Sequence, residues 1–195
     1  MKAARAAWPG AVAGVAAEDL VFLDETGAST ALHRTHGYAP VGQRLPGDAP
    51  HDHWKVVTFV GALTAGGLIA PWAQAEPMTG EVFLAYVEQF LVPQLRPGMV
   101  VVMDNLSSHK VRGVREALER AGCRLEYLPP YSPDFNPIEQ AFSKFKRLLR
   151  SAAARTVEGV YGAMKDALGR FGAEECLNYI RHSGYPHATP IRNPL

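Results

Sequence analysis

Leu20-Val21-Phe22-Leu23-Asp24 is a short, uninterrupted apolar run closed by an acid. Side chains alternate along a strand, so a run with no polar break implies burial on both faces. The pattern recurs at Met99–Met103 (MVVVM), which leads straight into Asp104-Asn105. Two buried-type strands, each delivering an aspartate, set the frame for everything around them. As parallel neighbours they would bring both carboxylates to one edge of a sheet, where open α/β sheets place their sites.

Working outward, Glu25-Thr26-Gly27 predicts a turn, followed by a second strand over Ala31–His36. Gly37–His53 is rich in Gly and Pro and reads as a loop. Trp54–Leu63 is strand-like, and Ala65-Gly66-Gly67 predicts a hairpin returning along Leu68–Trp72. These pieces suggest an antiparallel meander. The period then changes. Val82, Phe83, Tyr86, Val87, Phe90 and Leu91 fall at helical spacing within Thr79–Leu95, which Arg96-Pro97-Gly98 ends. Lys110–Ala121 reads as a helix closed by Gly122, and Arg124–Leu128 as a short strand. Pro129–Pro137 carries four prolines in nine residues and must be a stiff, non-helical loop. Helices are expected over Pro137–Arg150, Thr156–Phe171 and Ala173–Arg181. The order implies a mixed sheet with helices packed on it.

The composition narrows the class. With 195 residues, 47% of them hydrophobic, the chain can bury one full core and is too apolar for wholesale disorder. No apolar run reaches bilayer-spanning length. Two cysteines, Cys123 and Cys176, exclude a disulfide framework and a four-cysteine zinc site; both read as small buried residues. The net charge of +1 hides an asymmetry. Residues 110–181 hold 13 Lys/Arg against 9 Asp/Glu, whereas residues 1–109 hold 6 against 10. That split suggests metal or general-base chemistry beside an anion-binding surface. Met1–Ala17 faintly resembles a secretory signal, but Trp8-Pro9-Gly10 interrupts it, and it reads as a frayed helix or stub.

Glu139, in the first turn of the helix after the proline loop, is a third candidate acid. Three converging carboxylates cannot all ionise cheaply without a cation. Hard divalent ions with oxygen ligands meet that need, Mg²⁺ above all, and a pair of them could activate water against a phosphodiester. Each acid also has a structural alternative. Asp24 could open a turn, and Asp104 could cap its strand. Asn136-Pro137-Ile138-Glu139 has the form of a capping box. Ile138, Phe142, Phe145 and Leu149 should face the sheet, which places Glu139 on a stripe with Ser143, Lys146 and Arg150. Ser143–Arg155 has five Lys/Arg and no acid, which favours a phosphate backbone passing the site. Weaker candidates are His51-Asp52-His53 and the pair His33 and His36, neither at zinc spacing. Asp134 could replace Glu139, although its setting suits a turn. Glu25 should face away from Asp24. Trp54 and Trp72 read as core or edge packing.

Three segments, Phe22–Gly27 (FLDETG), Val101–Lys110 (VVMDNLSSHK) and Leu128–Gln140 (LPPYSPDFNPIEQ), resemble the catalytic core of DDE transposases. The branch is the bacterial insertion-sequence 630 type of the mariner-like superfamily. Gly37-Tyr38-Ala39-Pro40 and His182-Ser183-Gly184-Tyr185 are weaker parts of the same likeness, which runs from about Leu20 to Tyr185. The resemblance implies a ribonuclease H-like α/β fold, a mixed five-stranded sheet with helices on both faces. It implies that Asp24, Asp104 and Glu139 are the catalytic and metal-binding triad, holding Mg²⁺ or Mn²⁺, with two ions expected. Asn105, His109, Lys110, Lys146 and Arg150 are the expected DNA-side residues, with Asn105 and His109 either contacting DNA or supporting the acids. The implied partners are transposon-end and target DNA, the implied assembly a homodimer on DNA, and the implied location the bacterial cytoplasm and nucleoid, with no membrane. The implied reaction is strand cleavage and transfer through activated water and a 3′-hydroxyl, without a covalent protein–DNA intermediate. Residues 1–19 would be a stub or linker, 20–185 the catalytic domain and 186–195 a tail. Family members carry an N-terminal helix-turn-helix end-recognition region, which this chain is expected to lack. The alternatives are a related nuclease that cuts without joining, and a catalytically silent DNA-binding remnant.

Overall fold

The computed structural model describes residues 2–46 and 54–185. His51-Asp52-His53 and the Pro-rich tail beyond Tyr185 lie outside the described residues. The chain opens with helix α1 (Lys2–Ala11) and enters strand β1 (Leu20–Ser29) through a 3-10 turn at Ala17–Asp19. Far from fraying, α1 is anchored by buried Trp8 and by Val12, buried just past its end.

β1 runs ten residues, straight through the turn expected at Glu25–Gly27. It pairs antiparallel with β2 (Val56–Thr64) from Phe22↔Leu63 to Ser29↔Val56. Eight consecutive backbone pairings outweigh the local turn preference of a Glu-Thr-Gly sequence. The strand expected over Ala31–His36 is not formed. β1 has already used β2 as its partner, and the segment crosses as loop. The hairpin prediction at Ala65-Gly66 places β3 (Gly67–Gln74) against β2.

α2 (Gly80–Tyr86) starts at Thr79, whose hydroxyl accepts from Val82 N, then widens into a π turn (Val87–Leu91) and a 3-10 turn (Val92–Gln94). β4 (Val100–Met103) returns parallel to β1, in register from Leu20↔Val100 to Leu23↔Met103. A 3-10 turn at Ser107–Lys110 precedes α3 (Val114–Arg120). The helix expected from Lys110 starts late because Gly113 sits at φ 107°, outside any helical region. β5 (Arg124–Tyr127) adds parallel to β4. The sheet order is β3-β2-β1-β4-β5. After the proline loop come α4 (Ile138–Ala152), α5 (Val157–Leu168) and α6 (Ala173–His182).

Both faces are covered. Leu20, Phe22, Phe59, Leu63, Val100 and Val102 pack under α1, α4, α5 and α6, with Ile138, Phe142, Phe145 and Leu149 of α4 all buried. Val21, Leu23, Val60, Ala62, Val101 and Met103 pack under α2 and α3. The continuous apolar runs of β1 and β4 are thus explained: alternate residues serve two separate cores. Among the described residues no helix is long and apolar enough to cross a membrane.

Candidate active site

Parallel pairing of β1 and β4 ends at Leu23↔Met103. Asp24 and Asp104 are the next residue on each strand, so backbone register alone carries them to the same edge. Glu139 arrives from the first turn of α4, which docks on the sheet face that carries Phe22. Asp24, Asp104 and Glu139 line one cleft of about 440 Å³, together with Asn105, Lys110, Asn136 and the loop Pro129–Pro133.

The three acids stand in different surroundings. Asp24 is 9% exposed, its Oδ1 accepting from Glu25 N at 2.7 Å and its Oδ2 from Asn136 Nδ2 at 2.7 Å. Burial, reinforced by the negative charges of Asp104 and Glu139, pushes its carboxyl up to about 7. Asp104 is half-buried, and burial alone would raise it. Its Oδ1 accepts from His109 Nδ1 at 2.5 Å and from Leu106 N at 3.1 Å, which holds it below the usual range. Glu139 is exposed to solvent. Among the described residues, no three His, Cys, Asp or Glu side chains are gathered tightly enough to hold one ion. The acids share a cleft while each remains with its own protein partners.

His109 explains part of this. It is fully buried and stacks on Phe83 with ring centroids 4.4 Å apart. Its Nδ1 faces Asp104 and its Nε2 faces Glu25 Oε1 at 3.1 Å, so both ring nitrogens must donate. Burial opposes that charge, but the two carboxylates win and raise the imidazole to about 9. With no exposed surface, His109 stands behind Asp104, the arrangement of the two alternatives in which it supports the acids. Glu25 does face away from Asp24, on the opposite side of the sheet, yet it reaches the site through this imidazolium.

Asn136 was expected as a helix cap. Its side chain caps nothing and bonds Asp24 instead. Among the described residues, Asn136 Oδ1 and Asn105 Oδ1 are buried without a hydrogen-bond partner. Both asparagines line the cleft. Two orphaned amide oxygens beside a carboxylate that resists ionising form a hard-oxygen donor set, and the chemistry of that set suits Mg²⁺ or Mn²⁺. Asn136 was missed as a functional residue because an Asn-Pro-x-Glu run carries the capping signal just as well.

Asp134, the alternative to Glu139, stands apart from the cleft. It is more than half exposed and engaged by Arg5 at 2.7 Å, outside the residues lining the cleft. Among the described residues His33 and His36 form no ligand cluster: His33 Nδ1 donates to the Ala31 carbonyl, and His36 pairs with Thr35. Trp72 packs against Tyr86 and Phe90, whereas Trp54 is exposed. Lys110 is exposed at the cleft, near the face of Tyr127.

A second cavity, about 560 Å³, is lined by Arg34, His36, Gln140, Ser143, Lys144, Arg147 and Arg150. Consecutive residues Glu139 and Gln140 thus face the two cavities. Arg155 holds the loop that brings Arg34 there, donating to the Thr30 and Leu32 carbonyls. Lys144 is tied to Glu175, but among the described residues Arg34, Arg147 and Arg150 are not ion-paired. Lys146 is half-buried and lines neither cavity.

The sequence matches the family described as DDE superfamily endonuclease over residues 19–160. Among curated proteins none matches. The fold is shared with a Mos1 transposase paired-end complex with left transposon end, at TM-score 0.71 and 19% identity over 92% of this chain and 56% of that one. It is shared with the catalytic domain of Mos1 mariner transposase, at TM-score 0.65 and 16% identity over 92% of this chain and 84% of that one. A Mos1 catalytic domain with Raltegravir and Mg aligns at TM-score 0.64 and 17% identity, over 92% and 86% of the two chains. The chain spans slightly more than half the length of the transposases in the paired-end complexes it matches. The mixed five-stranded sheet with helices on both faces is the ribonuclease H-like fold of these catalytic domains.

Proposed function

Since this chain belongs to the DDE superfamily endonucleases, we propose that it is a transposase catalytic domain that cuts and joins DNA with divalent metal. One observation carries the reading: acids from β1, from the end of β4 and from α4 line one cleft, and the charges of Asp104 and Glu139 help push Asp24 up to about 7. A bound cation would offset that burial and repulsion and favour the ionised form at neutral pH. Asp24, Asp104 and Glu139 would hold Mg²⁺ or Mn²⁺, two ions by our reading, with Asn105 and Asn136 adding amide oxygens. The metal, when bound, supplies activation of the attacking oxygen and charge stabilisation at the phosphate.

The chain's own residues do the rest. Asn136 orients the Asp24 carboxyl by donating to its Oδ2. His109 holds Asp104 and keeps its proton, being hydrogen-bonded on both nitrogens. Lys110 offers a cation to the DNA backbone at the cleft mouth, and Arg150 extends that path along α4. Lys146 belongs with them through the backbone stripe rather than through either cavity. The motifs around Asp104 and Glu139 support the bacterial insertion-sequence 630 branch, acting on transposon ends and target DNA as a homodimer in the bacterial cytoplasm. Residues 20–185 would be the catalytic domain, with 1–19 leading in and 186–195 trailing.

The dispersed acids favour a second reading, a DNA-binding module without catalysis. Saturable Mn²⁺ binding together with strand cleavage separates the two. Asp104→Asn should keep the His109 contact and the fold while cutting cleavage by about 10²-fold or more. Undiminished cleavage removes Asp104 from the mechanism. Cleavage without joined product, using pre-cut ends, identifies a nuclease.

A further inference from the structure

The loop that delivers Asn136 and Glu139 is gripped from the far end of the chain. Arg5 of α1 donates from Nη1 to Ser132 Oγ at 2.8 Å and to Asp134 Oδ1 at 2.9 Å, and from Nη2 to Asp134 Oδ2 at 2.7 Å. Its guanidinium carbon lies 4.7 Å from the centroid of the Phe135 ring. One planar side chain thus engages three of four consecutive loop residues. Arg suits this role because its fork matches a carboxylate and its face matches an aromatic ring. A second route runs parallel to the first. Trp8 Nε1 donates to Tyr185 Oη at 3.0 Å, and Tyr185 Oη donates to the Phe135 carbonyl at 2.6 Å.

The loop needs such help. It belongs to no strand, it carries four prolines, and Tyr131 is held at φ 55°, a left-handed conformation unfavourable for an aromatic residue. Its own backbone closes only a 3-10 turn, with Phe135 N donating to Ser132 O and Asn136 N to Pro133 O. Stability alone is a poor reason for the clamp, because the Arg5 and Asp134 side chains are 37% and 55% exposed and exposed pairs contribute little. Position is the better reason. Ser132 and Pro133 line the cleft, Asn136 bonds Asp24, and Glu139 stands one turn further on.

We propose that Arg5 is a positioning residue for the active site: through Ser132, Asp134 and Phe135 it fixes the loop that sets Asn136 against Asp24 and presents Glu139. This rests on the catalytic reading of the cleft. It makes α1 part of the working site although no residue of α1 lines the cleft.

The test compares the full chain with Arg5→Ala, Arg5→Lys, Asp134→Ala and the Arg5→Ala/Asp134→Ala pair. Amide hydrogen exchange is read in metal-free protein, and the Mn²⁺ concentration giving half-maximal DNA cleavage is read in parallel. Arg5→Ala should speed exchange at Phe135 and Asn136, whose amides close the 3-10 turn, by roughly tenfold while β1 and β4 stay unchanged. It should raise half-saturating Mn²⁺ by about 10-fold, the low end of what loss of a group supporting a ligand does. Asp134→Ala should do the same, the pair should add little more, and Arg5→Lys should recover only part. Unchanged loop exchange and Mn²⁺ dependence in Arg5→Ala overturn the proposal. So does a uniform rise in exchange across the sheet, which marks plain destabilisation. A wild-type chain that neither binds Mn²⁺ nor cuts DNA overturns the functional reading itself, a result the variants are not needed to see.

Discussion

Asp24 shows how one side chain sets stability against chemistry. Its folded value of about 7 lies well above the ordinary 3.8, so the folded protein binds this proton more tightly than the unfolded chain does. The stabilisation is complete below about pH 4 and is lost as pH rises through 7. Metal-free protein should therefore weaken over that interval. Asp24→Asn should remove the loss, since the new amide oxygen keeps accepting from Glu25 N and, once the Asn136 amide flips, the new NH2 donates to Asn136 Oδ1 in place of the bond Asn136 Nδ2 now makes. Urea unfolding without metal should find Asp24→Asn more stable than wild type by about 1–3 kcal/mol near pH 8 and no better near pH 4. The same variant should lose Mn²⁺ binding. An equal pH dependence in both proteins would show that Asp24 is not the group that resists ionisation. His109 works in the opposite sense to Asp104: the imidazolium's contribution is complete below 6.5 and fades as pH rises through about 9, whereas that of Asp104 fades as pH falls.

Among the elements, α4 joins core, cleft and basic groove. Ile138, Phe142, Phe145 and Leu149 anchor it on the sheet, and its phase then fixes where Glu139, Gln140 and Arg150 project. That phase was legible from apolar spacing alone. The C-terminus of α4 is less well served, because Ala153 closes it at φ 51°, ψ 37°, a left-handed cap that glycine fills without a Cβ penalty. Ala153→Gly should raise the unfolding free energy by about 0.5–1 kcal/mol, measured as a higher urea midpoint at unchanged slope. A lower midpoint would show that the Cβ packs productively there. β1 teaches the converse lesson. Glu25-Thr26-Gly27 is a turn by composition, and only the ladder to β2 makes it strand. The late start of α3 has a similar cause: a single glycine at φ 107° breaks a period that the apolar pattern carried through.

For the molecule as a whole, charge is sorted by the fold. The acid cleft and the groove of Arg34, Arg147 and Arg150 lie on either side of the first turn of α4. DNA crossing the cleft would place its backbone on that groove. Replacing all three arginines with alanine should weaken DNA binding and reduce the slope of log affinity against log salt by roughly 2–3. An unaltered slope would mean that the groove faces water only. The helix phase pointed to Arg150, but Arg34 lies more than a hundred residues away and joins it only because Arg155 ties down the intervening loop. The sequence by itself determined the two-faced burial of β1 and β4, the aspartates that close their apolar runs, the proline loop and the inward face of α4, because periodicity and backbone chemistry are local. Tertiary structure alone decided that His109 is sealed between Asp104 and Glu25, that Asn136 turns to Asp24 instead of capping its helix, and that Arg5 grips a loop about 130 residues away. Those choices depend on which side chains the folded sheet brings within hydrogen-bond reach, and spacing along the chain carries no trace of that.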